Sequence, residues 1–215
     1  MIKLYSYFRS SASFRVRIAL NLKGLPFETA PVHLLKGGGE QFAPGFKLLN
    51  PAALVPVMVD GGETLSQSLA IIEYLEELYP SPPLLPQGAS ARARVRAIAL
   101  SIACEIHPLN NLRVLGYLSK TLGVSDDEKN AWYRYWVETG LAAVEAQLAD
   151  DPRSGAFCHG DAATLADICL VPQIFNAQRF NCELGHVPTV MGIFRRCLDL
   201  PAFADAVPAK QPDAA

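Results

Sequence analysis

Four prolines fall between Pro80 and Pro86, and they divide the chain into two regions of different pattern. Proline fixes its own φ, lacks a backbone N–H and ends helices and ladders, so a run of this density reads as a linker. Before it, short apolar runs alternate with helix-period segments. After it, no strand pattern occurs. A single uniform architecture is therefore excluded, and the pattern predicts a mixed α/β domain over 1–80, a linker over 81–87 and an all-α domain over 88–215.

The first region is punctuated clearly. Ile2 to Tyr5 reads as a strand. Phe14 to Lys23 carries Val16, Ile18, Ala19, Leu20 and Leu22 at spacings that suit a helix packed on a sheet. Gly24 and Pro26 stop it. Phe27 to Leu34 reads as a second strand, Gly37-Gly38-Gly39 as a loop, and Glu40 to Leu49 as a short helix. Val55 to Val59 and Glu63 to Leu65 pair through Gly61-Gly62 as a hairpin. Ser68 to Tyr79 is a helix with Leu69, Ile72, Leu75 and Leu78 on its apolar face. This order is that of a thioredoxin-like domain. In the second region, Ala89 to Leu118, Asp126 to Leu148 and Thr164 to Phe180 read as long helical segments, the second with Trp132 and Trp136 on one face. Thr164-Leu165-Ala166-Asp167 is a capping box with Asp in place of Glu or Gln. Val207 to Ala215, rich in Pro and Ala, is expected to wrap the surface or fray.

Net charge and cysteine content narrow the function. A formal charge of −2 offers no basic face for nonspecific nucleic-acid binding or for anionic membrane. No apolar run reaches the roughly 18 residues of a membrane helix, and Met1 to Tyr5 enters a strand pattern at once, so the protein is expected to be cytoplasmic. The five cysteines, Cys104, Cys158, Cys169, Cys182 and Cys197, are odd in number and lack CxxC spacing, which favours neither a disulfide framework nor a zinc cluster. Cys169 lies in an apolar run and reads as core.

Chemistry concentrates at junctions. Tyr7 to Leu20 brings Arg9, Ser10, Ser11 and Ser13 to the start of the first helix, where unpaired N–H groups and a partial positive charge attract anions. Ser10 or Ser11 can cap that helix or donate to a bound anion, and capping is the commoner duty of serine there. Val55-Pro56 is a candidate cis bond, which would offer the Val55 backbone to an extended peptide; an ordinary trans proline opening an edge strand is the plain alternative. Gln67-Ser68, where the hairpin meets the next helix, suits either a cap at Ser68 or a carboxylate-binding pair. Pro108 is expected to kink the helical run, with His107 and Asn111, four apart, on one face. No partner cluster surrounds His107, so no metal is expected.

Together these segments resemble the zeta class of glutathione transferases, and within it the maleylacetoacetate and maleylpyruvate isomerases. The likeness is carried by Tyr5 to Ser11, Arg15 to Leu20, Leu49-Asn50-Pro51, Val55-Pro56, Gln67 to Leu75, His107 to Asn111, Leu165 to Gln173, Arg179-Phe180 and Gln211-Pro212-Asp213. The Ser-Ser-x-Ser-x-Arg-Val-Arg-Ile-Ala pattern is specific. The resemblance implies the glutathione transferase fold, glutathione as cofactor, a small dicarboxylate substrate and a homodimer. It implies that Ser10, supported by Ser11, favours the glutathione thiolate. It further implies that Gln41, Val55, Pro56, Gln67, Ser68, His107 and Asn111 hold the cofactor, and that Arg9 and Arg179 face the substrate carboxylates. Position 12 is alanine where many members have cysteine, so chemistry needing a protein thiol there is put in doubt.

The implied reaction is cis–trans isomerisation by reversible thiolate addition to the double bond. Two other readings share these residues. A detoxifying transferase would conjugate electrophiles or remove halide from α-haloacids, consuming glutathione. A non-catalytic transferase-like module would keep the fold without turnover.

Overall fold

The computed structural model describes residues 1–214, which form two units: Met1–Leu84 together with the described residues from Leu200 onward, and Leu85–Asp199. In the first unit, strands β1 (Ile2–Ser6), β2 (Phe27–Pro31), β3 (Val57–Asp60) and β4 (Glu63–Ser66) make one sheet in the order β2-β1-β3-β4. Helix α1 (Ser11–Leu22) is the crossover between the parallel pair β1 and β2, and β3 and β4 run antiparallel. Helices α2 (Pro44–Leu49) and α3 (Ser68–Leu78) complete the thioredoxin-like order that the sequence predicts.

Several boundaries move for identifiable reasons. The third strand starts at Val57 rather than Val55, because Pro56 has no N–H to give the ladder. The second ends at Pro31, short of Leu34. The helix expected over Glu40 to Leu49 is a 3₁₀ turn, Glu40–Phe42, followed by α2. Ala43 between them is extended (φ −60°, ψ 141°), the conformation that a following proline imposes.

Register decides what the sheet can do. Tyr5 pairs with Ala30 on one side and with Val57 on the other, and Val57 pairs with Ser66. The segments that enter or leave the sheet beside these residues are 7–10, 32–41, 55–56 and 67–68. The predicted site residues of the first region lie in them, except Ser11, which opens α1 directly after the first.

The second unit is helical: α4 (Ala89–Leu100), α5 (Leu112–Lys120), α6 (Asp126–Leu148), α7 (Leu165–Arg179) and α8 (Pro188–Leu198). The segment expected to run from Ala89 to Leu118 is broken over ten residues rather than kinked at one. A π-helical turn, Ser101–Ile106, leads into a 3₁₀ turn, His107–Asn110. Pro108 lacks an N–H and its ring clashes with the carbonyl four residues back, so the backbone widens before it. Helix α6 opens on a capping box in which Ser125 and Glu128 exchange hydrogen bonds, and Trp132 meets Trp136 edge-on at 5.6 Å. The fully buried Asp167 accepts from the N–H groups of Cys158 and Thr164 and from the Thr164 hydroxyl, each at 2.8 Å, which fixes the start of α7.

The expectation of an all-helical domain reaching residue 215 differs from the structure at its end. Helix α9 (Pro201–Ala204) and the segment after it pack on the first unit. Asn21 Nδ2 donates to the Ala202 carbonyl at 3.0 Å and Arg17 Nε to the Ala206 carbonyl at 3.1 Å. Phe203 is fully buried, and Ala214 packs against the apolar cluster that contains Tyr7, Phe8, Val32, Phe46, Val55 and Val57. Up to Ala214 the segment does more than wrap or fray, because it supplies apolar residues and acceptors to the sheet unit.

Candidate active site

The β1–α1 loop is a defined turn. The Ser10 N–H donates to the Tyr7 carbonyl at 2.9 Å, and Ser10 Oγ accepts from the Ser13 N–H at 3.2 Å. Ser10 is thus the N-cap of α1. A capping hydroxyl uses its oxygen as acceptor, which leaves its hydrogen to donate outward, so capping and anion binding are compatible at this residue. No acidic side chain lies in the first turn to offset the positive end of the helix. Ser11 is buried in that turn. Arg9 is exposed, its guanidinium 4.8 Å from the centre of the Phe8 ring.

The neighbouring segments supply backbone and amide groups. The Val55–Pro56 bond is cis, and Val55 is buried in an apolar cluster with Tyr7, Phe8, Val32, Phe46 and Val57. Helix α3 begins at Ser68, so the N-cap position falls on Gln67 rather than on Ser68 as expected, and no side chain caps it. Gln67 has φ +70°, which turns the chain sharply out of β4 and leaves its side chain exposed. Ser68 is buried and its Oγ accepts from Arg15 Nη1 at 3.4 Å. No acidic residue occupies the first turn of α3 either. The buried Gln41 donates from Nε2 to the Leu34 carbonyl at 3.4 Å, and its Oε1 has no partner.

The other predicted residues belong to the helical unit. His107 opens the 3₁₀ turn and is half-buried. Asn111 caps α5, its Oδ1 accepting from the N–H groups of Arg113 and Val114 at 3.0 and 3.1 Å. The two residues do not share a face of one helix as their spacing predicts, because the helix ends between them; donation by Asn111 to a ligand falls to its NH₂ end. Arg179 is exposed in the last turn of α7, 5.0 Å from the centre of the Phe180 ring, and Phe180 stacks on Tyr133 at 3.7 Å.

Two arginines escaped the sequence reading. Arg15 and Arg17 are both buried in α1 among Phe14, Val16, Ile18 and Leu20. Arg17 Nη1 donates to Ser6 Oγ and Nη2 to the Phe8 carbonyl, each at 3.1 Å. Burial lowers its pKa to about 10, a fall that the charge of Asp213 opposes. The available signal was two cations inside a helix segment that is otherwise apolar.

Among the described residues no group of three or more His, Cys, Asp or Glu is placed to hold a metal. No helix of the described residues is long and apolar enough to cross a membrane. Cys169 is buried, as its apolar run predicts, and burial raises the pKa of the Cys158 and Cys197 thiols and takes Cys182 up to about 11. None of these three is a ready thiolate.

This arrangement, a thioredoxin-like sheet whose site segments share one end and a separate helical unit, is the glutathione transferase fold. The family profile "Glutathione S-transferase, N-terminal domain" matches residues 9–78, and "Glutathione S-transferase, C-terminal domain" matches 131–200. A Vibrio cholerae protein named probable maleylacetoacetate isomerase is 52% identical over 98% of this chain and 97% of its own. A solved structure described as maleyl pyruvate isomerase, a bacterial zeta-class glutathione S-transferase, superposes with a TM-score of 0.96 at 50% identity, over 99% of this chain and 100% of its own. Another, the maleylacetoacetate isomerase of Methylobacterium extorquens AM1 with bound malonate and glutathione, gives 0.95 at 41% identity over 99% of each chain. The chain belongs to the glutathione S-transferase family, and within it to the zeta class.

Proposed function

We propose that this protein is a cytoplasmic, homodimeric, glutathione-dependent isomerase that converts maleylacetoacetate or maleylpyruvate to the fumaryl isomer. Support comes from the full-length likeness to isomerases of both names and from the fit of the site to a small acidic peptide. Gln41 has a buried amide oxygen without a partner, which a peptide N–H would satisfy. Val55 presents its backbone ahead of a cis proline. Two helix N-termini free of acidic first-turn residues, at Ser10 and at Ser68, suit carboxylate and thiolate.

Gln41, Val55, Pro56, Gln67, Ser68, His107 and Asn111 would hold the cofactor. Bound there, glutathione supplies a thiolate that adds reversibly to the conjugated double bond. Ser10 donates its hydroxyl hydrogen to the sulfur, and the positive end of α1 favours the ionised form of a thiol whose unperturbed pKa is about 8.5. Ser11 supports that turn from N1. Arg9 and Arg179 neutralise the substrate carboxylates and preorganise positive charge for the electron-rich transition state. The observation that carries the reading is Ser10: its oxygen caps α1, which leaves its hydroxyl hydrogen to donate, and the adjacent residue is an exposed arginine.

The test is an absorbance assay with each substrate, with and without glutathione, and a thiol titration at the end. Isomerisation that requires glutathione and leaves the thiol pool unchanged supports the isomerase, and the ratio of rates names the preferred substrate. Thiol consumption with a halogenated electrophile and no isomerisation of either substrate would replace it with a detoxifying transferase.

A further inference from the structure

We propose that Arg17 and Asp213 are positioning residues for the loop Tyr7–Ser10, and that the C-terminal segment of the chain is part of the thiolate site by fixing where Ser10 and Arg9 stand. The inference rests on the glutathione reading above and concerns a feature that reading does not use. Phe8 is held at both ends of its backbone. Its N–H donates to Asp213 Oδ2 at 2.9 Å, and its carbonyl accepts from Arg17 Nη2 at 3.1 Å. Arg17 also donates from Nη1 to Ser6 Oγ at the end of β1 and from Nε to the Ala206 carbonyl in the C-terminal segment. One buried guanidinium therefore joins three pieces of chain: the strand that leads into the loop, the loop itself, and the segment behind it.

Packing follows the same path. Tyr7 and Phe8 are buried, and Ala214, next to Asp213, packs against their cluster. Between the clamped Phe8 and the capped first turn of α1 only Arg9 and Ser10 remain, and the Tyr7 carbonyl already fixes the Ser10 N–H. The turn has little freedom while the clamp is closed.

A buried arginine is a costly way to fill a helix face. Replacing buried ionic groups with apolar residues is often neutral or stabilising. Burial lowers the pKa of Arg17 to about 10 and the Asp213 carboxylate counters the shift. Asp213 Oδ1 is itself buried without a hydrogen-bond partner. An apolar tail docked on an apolar helix would stabilise the fold at less desolvation cost. What the polar version adds is direction: hydrogen bonds set the Phe8 peptide plane, and hence the side chains that follow it, in a way apolar contact does not. In a site where a misplacement of about 1 Å lowers a rate ~100-fold, direction is the useful quantity.

The experiment compares Asp213→Ala, Asp213→Asn and, as a control on the same segment, Asp205→Asn, whose exposed carboxylate pairs only with Lys210 among the ion pairs of that segment. Each full-length variant is assayed for kcat, KM and the pH profile of isomerisation, and bound glutathione is titrated by its ultraviolet thiolate absorbance. Asp213→Ala is expected to lower kcat ~10- to 100-fold, the range that a loosened turn implies, and to move the thiolate titration to higher pH. Asp213→Asn keeps an oxygen for the Phe8 N–H and is expected to recover most of the rate. Asp205→Asn is expected to behave as the parent. A purely structural role would lower the melting temperature of Asp213→Ala while leaving kcat and the titration at parental values below it, and that result overturns the proposal. Should the parent bind glutathione but isomerise neither substrate, the function is wrong and the titration alone decides: a shift in Asp213→Ala supports the clamp and no shift overturns it. If the parent binds no glutathione, both readings fall.

Discussion

Lys23 Nζ stands 2.6 Å from Glu76 Oε2 with both side chains withdrawn from solvent. The pair ties the residue after α1 to the last turns of α3, and it does more than balance charge. Lys23 also donates to the carbonyls of Tyr79 and Pro82 at 2.6 and 2.7 Å, and Glu76 accepts from the Leu84 N–H at 2.9 Å. Prolines break the helix but cannot place the chain that follows. This ion pair places it.

Breaking one side of a buried pair leaves the other charge uncompensated. Lys23→Met and Glu76→Gln are each expected to destabilise the protein, the lysine variant by ~3–5 kcal/mol. The double variant is expected to cost less than the sum of the two, because it leaves no orphaned charge. Urea midpoints of the four proteins close the cycle, and strict additivity would mean that the two side chains act independently.

Ser10 carries two duties that substitution can separate. Ser10→Ala removes the cap and is expected to lower stability by about 1 kcal/mol. It also removes the outward donor, so the bound thiol should titrate at higher pH and kcat should fall ~100-fold, the scale seen when one transition-state hydrogen bond is deleted. Ser10→Asp keeps a capping oxygen but sets a negative charge against the sulfur; it should fold at least as well as Ser10→Ala and turn over no faster. A Ser10→Ala enzyme with the parental pH profile would remove Ser10 from the chemistry and leave it a cap.

Why some of this was legible and some was not follows from where the signal lies. β1, α1 and α3 are announced by apolar spacing and by residues that stop or cap them, and the hairpin by Gly61-Gly62. The capping box at Thr164 is a four-residue local pattern, and the structure keeps it. By contrast, the break before His107 spreads over Ser101–Asn110, since one proline affects the carbonyls of the preceding turn and not only its own residue. Helices α8 and α9 went unread although Pro188 and Pro201 sit at their first turns, a position that proline favours. The clamp at Arg17 joins residues separated by nearly the whole chain. No local pattern encodes the partner of a buried arginine; the charge in an apolar stretch says only that one must exist.

Asp151 gives the helical unit an acid-sensitive contact. Hydrogen bonds from Arg153, then from Arg94, hold its carboxyl well below the usual carboxylate range. A carboxyl depressed in the folded state contributes stability that is fully present above its unfolded pKa of about 3.9 and is lost as pH falls through the folded value. Arg94 uses the same guanidinium to reach the Cys158 carbonyl at 2.7 Å and Ser154 Oγ at 2.9 Å, so protonation of Asp151 loosens a hub rather than one pair. Asp151→Asn is expected to be less stable than the parent at neutral pH and to lose less stability on acidification below about pH 4. Parallel stability–pH curves for the two proteins would show that Asp151 is not part of the acid transition.

Gly140 tests whether the π-helical turn is set by packing. A Cβ built on this residue would clash with Ile106 Cγ1 and lie 2.6 Å from its Cδ1, and Ile106 is buried. Two effects compete in Gly140→Ala. Alanine gains up to about 1 kcal/mol over glycine in a helix interior. Overpacking of a tight core contact costs ~1–3 kcal/mol. At this separation the second should win, and the variant should be destabilised. If the excess volume is taken up by the turn that precedes His107, and His107 contributes to glutathione binding, that binding should weaken along with stability. Ile106→Ala removes the clashing atoms, and in that background Gly140→Ala should become stabilising, because only the propensity gain remains. A reversal of sign between the two backgrounds, measured by chemical unfolding, identifies Gly140 as the space into which Ile106 seats. The same sign in both would mean that α6 yields to the new methyl and that the π turn is held from elsewhere.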